Sequence, residues 1–153
     1  MKEEFTLPQA NLIYKPNFLQ PDIAEKVFHT LHSQTNWIQE PIKIFGKEMM
    51  QPRLTHLFGE KSYTYSNITM NPDPFPEILQ LLREQLENFT NNRFNVCLAN
   101  LYRDGQDSMG WHSDDEKELG INPVIASISL GGARMFHLQH KTKKELKQKL
   151  VLA

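Results

Sequence analysis

Alternation of side-chain character over residues 96–102 is the feature that most limits what this chain can become. Successive side chains of a strand point to opposite sides, so Val96, Leu98, Asn100 and Tyr102 share one face and Cys97, Ala99 and Leu101 the other. A short apolar strand therefore ends with two polar side chains facing one way. Asp104-Gly105 and Met109-Gly110 turn the chain and bring round Trp111-His112-Ser113-Asp114-Asp115-Glu116. Residues 123–130 alternate again, Val124, Ala126, Ile128 and Leu130 against Ile125, Ser127 and Ser129, before Gly131-Gly132 leads into residues 134–139. Many short strands with glycine turns predict an antiparallel sandwich or jelly roll with helices packed outside it.

Upstream, residues 11–18 read as an extended lead-in. Pro21-Asp22 open a helix with Ile23, Val27 and Leu31 on one stripe and with His29 and His32 facing solvent. Trp37-Ile38 and residues 42–45 read as strand, and Phe45-Gly46-Lys47-Glu48 as a hairpin turn into Met49-Met50. Residues 54–58 and 63–66 are further extended runs. Pro72, Pro74 and Pro76 then break the chain before a second helix, whose apolar face is Ile78, Leu81, Leu82, Leu86 and Phe89.

A chain of 153 residues is one domain's worth, enough for a real core. Its 17 basic and 18 acidic residues give a net charge of -1, so any attraction to nucleic-acid phosphates must be local rather than global. The single Cys97 excludes an internal disulfide and a cysteine-rich zinc site and fits a reducing compartment. The first residues lack the apolar run of a secretory signal, and nothing later approaches a membrane span. These features predict a cytoplasmic protein with no membrane association.

His112 and Asp114 carry the most specific chemistry. Two apart on an extended segment, they can aim an imidazole and a carboxylate at one point, two-thirds of the facial site with which two histidines and one carboxylate hold Fe(II). The residues alone leave open an exposed acidic turn with no metal. They likewise leave Tyr63 and Tyr65 as sheet-surface aromatics or as a stacking pocket, and the lysines between 141 and 149 as a solvated hairpin or a phosphate strip.

Three ordered motifs narrow these alternatives. Asn100-x-Tyr102-x-Asp104-Gly105, Trp111-His112-Ser113-Asp114-Asp115-Glu116 and the run Ile125-Ala126-Ser127-Ile128-Ser129-Leu130-Gly131-Gly132-Ala133-Arg134-Met135-Phe136 resemble the AlkB family of Fe(II)/2-oxoglutarate-dependent nucleic-acid dealkylases. The likeness covers most of the chain, because Gln51-Pro52-Arg53-Leu54-Thr55 and residues 63–70 resemble the family's substrate-lid region in the right order.

The resemblance implies an α+β fold with a jelly-roll core and a single dioxygenase domain over 1–153. Residues 1–93 would supply N-terminal helices and the lid, and residues 94–153 the first part of the core. It implies His112 and Asp114 as ligands of Fe(II), Asn100 and Tyr102 as hydrogen-bonding partners of 2-oxoglutarate, and Arg53, Tyr63, Tyr65, Ser66, Glu116 and Arg134 as contacts to the substrate. Glu116 would suit a base made cationic by alkylation. The implied reaction couples oxidative decarboxylation of 2-oxoglutarate to hydroxylation of an N-alkyl carbon, which then leaves as an aldehyde. Its partner would be alkylated DNA or RNA, met by a monomer.

The family pattern continues through further strands to a second histidine ligand and a cosubstrate arginine, and 1–153 matches neither. His137 and His140 follow the glycine turn, where the pattern has no ligand. The jelly roll is therefore expected to be incomplete at its C-terminal side and residues 1–153 inactive by themselves. Two other readings remain at this stage: a nucleic-acid-binding remnant without catalysis, and an oxygenase acting on something other than nucleic acid.

Overall fold

The computed structural model describes residues 2–44, 46–60, 63–65, 68–115 and 117–153. For residues 43, 44, 63–65, 68–70 and 118 it describes the backbone alone. The architecture mixes two α-helices with ten strands among the described residues. The strands form five antiparallel pairs there: β1 (Glu3–Leu7) with β2 (Ala10–Tyr14), β3 (Pro41–Ile44) with β4 (Lys47–Met50), β5 (Leu54–Gly59) with β8 (Val96–Leu101), β6 (Tyr63–Tyr65) with β7 (Ile68–Met70), and β9 (Arg134–Gln139) with β10 (Lys147–Leu152).

The chain divides into two compact units. One joins residues 1–31 to 127–153, and the other is residues 32–126. In the first, Leu19, Val27 and Leu150 are buried, Val27 completely. Helix α1 (Pro21–Gln34) starts with proline as its first helical residue, where the missing N–H is no loss, and its first turn closes through Ala24 N–H to the Gln20 carbonyl at 2.8 Å. Two bonds tie the far ends of the sequence together. His140 Nε2 lies 2.9 Å from Gln9 Oε1, and Ala153 N–H donates to the Tyr14 hydroxyl at 3.3 Å. Gly131 has φ +82, and a Cβ there would stand 2.9 Å from Phe28 Cε2, so both conformation and space demand glycine.

In the second unit β5 is the most deeply covered strand, with Thr55, His56, Leu57 and Phe58 buried in succession and hence both faces shielded. Its register against β8 sets Thr55 opposite Asn100, Leu57 opposite Leu98 and Phe58 opposite Cys97. Helix α2 (Glu77–Thr90) buries Leu79 and Leu82 and ends at Asn91 in the left-handed conformation, whose N–H returns to the Glu87 carbonyl at 2.8 Å.

Several expectations are corrected. The lead-in over 11–18 is instead a hairpin arm, because residues 3–7 supply a partner strand and Gln9 turns the chain at φ 64. Residues 123–130 keep the expected alternation, with Ala126, Ile128 and Leu130 half-buried and Ser127 and Ser129 exposed, yet they are not a strand. A strand is defined by its ladder, and their backbone finds no partner among the described residues. Trp37-Ile38 reduces to one bridge, Ile38 to Thr55. Val27, Leu31, Ile78, Leu82 and Leu86 of the stripes read in the sequence are covered, whereas Ile23, Leu81 and Phe89 lie exposed at their margins. The turn residue Phe45 lies outside the described residues.

Candidate functional site

Strand β8 ends at Leu101, and the loop that follows is built by its own side chains. Asp107, buried, receives three hydrogen bonds from Arg103: backbone N–H at 2.9 Å, Nε at 2.7 Å and Nη2 at 2.9 Å. Asp104 Oδ1 accepts the N–H groups of Gln106 and Asp107 at 2.8 and 3.2 Å, as short acidic side chains do in turns. Ser108 N–H then donates to the Pro52 carbonyl at 2.9 Å, pinning the loop beside the segment that leads into β5. Turn chemistry rather than a ladder delivers the chain to residue 112.

His112 and Asp114 consequently lie in irregular chain, not in the strand the spacing predicts, and still converge. Nε2 of His112 is 3.4 Å from Oδ1 of Asp114, and each side chain is 40% exposed. Nδ1 of His112 lies 2.9 Å from the Gly110 carbonyl, which can only accept, so Nδ1 carries a proton there. Nε2 of His112 and the carboxylate of Asp114 thereby face one point, where they can pair with each other or converge on a cation. A backbone carbonyl bonded to the far nitrogen is the usual way in which a metal-binding histidine has its tautomer and ring plane fixed. The donor set, one imidazole nitrogen and one carboxylate oxygen, fits Fe(II). No third His, Cys, Asp or Glu joins the pair among the described residues.

Asn100 and Tyr102 flank the end of β8. Asn100 is exposed, and its amide makes one long bond, Nδ2 to the Leu98 carbonyl at 3.3 Å; Tyr102 is half-buried. Arg53 is only 4% exposed, with Nε donating to Gln51 Oε1 at 3.1 Å, and no carboxylate pairs with it among the described residues. The backbone of Tyr63 and Tyr65 forms part of β6, opposite Met70 and Ile68 of β7. Ser66 and Glu116 lie outside the described residues, and Arg134 opens β9 in the other unit.

Sequence comparison adds a decisive observation: the family model of the 2OG-Fe(II) oxygenase superfamily matches residues 11–153. The chain belongs to that superfamily. It is similar to the alpha-ketoglutarate-dependent dioxygenase alkB homolog 3 of Bos taurus, 44% identical over 131 residues, which cover 85% of this chain and 46% of that protein. The Homo sapiens protein of the same name is 40% identical over 131 residues, with the same two shares. The DNA oxidative demethylase ALKBH2 of Bos taurus is 34% identical over 126 residues, 79% of this chain and 45% of that protein. The chain is thus an AlkB-like oxygenase sequence, and it spans about half the length of the curated relatives it matches. Membership of this superfamily implies Fe(II) and 2-oxoglutarate as cofactors.

Three contributors escaped the sequence reading. The Gly110 carbonyl is backbone and has no letter of its own. Asp107 is announced only by its spacing of four from Arg103. Thr55 closes the Gln51–Thr55 motif without a role of its own in the sequence, and its burial and strand register are visible only in the structure.

Proposed function

We propose that this protein removes alkyl groups oxidatively from N-alkylated bases of DNA or RNA, as a cytoplasmic monomer built on one jelly-roll domain that includes residues 1–153. The observation that carries the reading is the approach of His112 Nε2 to Asp114 Oδ1 with Nδ1 held by Gly110. The likeness to a protein named a DNA oxidative demethylase supports the substrate class.

Within this reading His112 and Asp114 hold Fe(II), while Asn100 and Tyr102 donate hydrogen bonds to the oxygens of 2-oxoglutarate. When bound, these two groups would activate O2 as the oxidant, one of its oxygen atoms ending on the alkyl carbon and the other in succinate, with loss of CO2. The protein's own task is to present the base. Extruding it from a duplex costs a few kcal/mol, least for a damaged or unpaired base. Stacking on Tyr63 and Tyr65 offsets about 1–3 kcal/mol per base. Arg53, Ser66 and Arg134 hold the nucleotide, and Glu116 faces the positive charge that alkylation places on the ring.

Succinate release stimulated by a single-stranded oligonucleotide carrying an N-methylated base tests the proposal. In a protein that carries the second histidine and the cosubstrate arginine as well, stimulated release that Asp114→Ala abolishes is the expected result. Equal release from Asp114→Ala, or oligonucleotide binding without any succinate, would remove the enzymatic reading.

A further inference from the structure

Thr55 is 2% exposed, and its hydroxyl has no hydrogen-bond partner among the described residues. Burying a hydroxyl without a partner is costly, and folded proteins rarely tolerate it unless a ligand or ordered water completes the bond. Its position indicates which. The N–H and carbonyl of Thr55 both pair with Ile38, at 2.8 and 3.0 Å, and so point away from β8. Thr55 and Asn100 are therefore a non-hydrogen-bonded pair of the β5–β8 ladder, the kind in which Cα atoms approach to about 4.5 Å and the side chains stand closest on one face. Asn100 is itself poorly satisfied, its amide making a single 3.3 Å bond, to Leu98, among the described residues. Two adjacent polar side chains, one buried and one at the surface, share a face and do not satisfy each other.

We infer that the Thr55 hydroxyl is a binding group for 2-oxoglutarate, donating from the floor of the site to an oxygen of the same cosubstrate that Asn100 holds. This rests on the reading of Asn100 as a cosubstrate residue given above. A carboxylate or keto oxygen offers Thr55 the acceptor that it lacks, and an O–H donor complements the amide N–H of Asn100. Thr55 is a binding residue here and takes no part in proton transfer.

Calorimetric titration of 2-oxoglutarate into the Mn(II)-loaded chain, Mn(II) standing in for Fe(II), tests it with Thr55→Val, Thr55→Ser and Asn100→Ala. Thr55→Val keeps the shape and removes the hydroxyl. It should weaken 2-oxoglutarate about tenfold, the loss expected for one hydrogen bond to a charged group, and Thr55→Ser should restore most of it. Melting of the ligand-free protein should be unchanged or raised in Thr55→Val, because an unsatisfied hydroxyl has gone. A purely structural threonine would not combine weaker binding with undiminished stability. Unchanged affinity in Thr55→Val beside weakened affinity in Asn100→Ala would overturn this inference alone. Unchanged affinity in both variants, or no binding by the unsubstituted chain, would overturn it together with the cosubstrate site. Weakened binding of a methylated oligonucleotide with intact 2-oxoglutarate binding would assign the hydroxyl to the base and overturn it as well.

Discussion

His56 Nε2 lies 2.9 Å from Asp73 Oδ2, while the other ring nitrogen lies 2.8 Å from the Asn36 carbonyl. One buried imidazole on β5 thereby ties two distant loops to the most enclosed strand, and the Phe58 ring packs against it with centroids 4.6 Å apart. Replacing His56 by Ala should destabilise the fold by about 2–4 kcal/mol through two lost hydrogen bonds and a cavity. The urea midpoint reads this directly, and a midpoint equal to that of the parent would refute it. Asp73→Asn should cost less, because Asp73 is largely exposed.

The three bonds that Asp107 accepts from Arg103 shape the loop that leads to His112 and Asp114. Asp107→Ala should weaken Mn(II) binding by about 10- to 100-fold, the usual penalty for removing an outer support. Arg103→Lys should not substitute for the parent, since an ammonium cannot make the forked contact. Mn(II) affinity equal to the parent's in Asp107→Ala would show the loop to be held by other means.

The Phe94 N–H, donating to Glu87 Oε1 at 2.9 Å, and the Arg93 guanidinium on Oε2 hold the Glu87 carboxyl below its ordinary value of 4.5. A depressed carboxyl stabilises the fold above its unfolded value, and that contribution is lost as pH falls through the folded one. Urea midpoints followed downward from pH 6 should therefore decline below about pH 4.5, and more steeply in the parent than in Glu87→Gln. Parallel profiles for the two proteins would exclude this linkage.

Burial pushes the Cys97 thiol up to about 11. Almost no thiolate exists at pH 8, and the thiolate is the nucleophile. Alkylation by iodoacetamide should be slow in the native protein and complete in urea, as mass spectrometry would show. Rapid native labelling would mean that β8 opens far more readily than its register with β5 suggests.

Strong local patterns made the fold partly legible. Helices α1 and α2, the β3–β4 hairpin and the faces of β8 follow from periodicity and from proline and glycine signals, and all are present. The β1–β2 hairpin escaped because its turn uses Pro8-Gln9 rather than a glycine pair. Residues 123–130 were misjudged because alternation reports which side of a chain is covered, not whether its backbone has a neighbour. At the site, His112 and Asp114 converge as the spacing implies, but through the turn around Asp104 and Asp107 rather than through strand geometry. The Thr55 hydroxyl could not have been found by any pattern, since register across β5 and β8 joins residues far apart in the chain.

The clasp between Gln9 and His140 bears on biosynthesis. Residues 32–126 are continuous and can organise while the ribosome is still extending the chain, since domains generally fold as units during synthesis. Residues 1–31 must wait, because their complement is residues 127–153, and the loop to be closed spans nearly the whole sequence. The half that carries His112 and Asp114 should therefore take shape first, with its exit from the ribosome preceding the closing of the flanking unit.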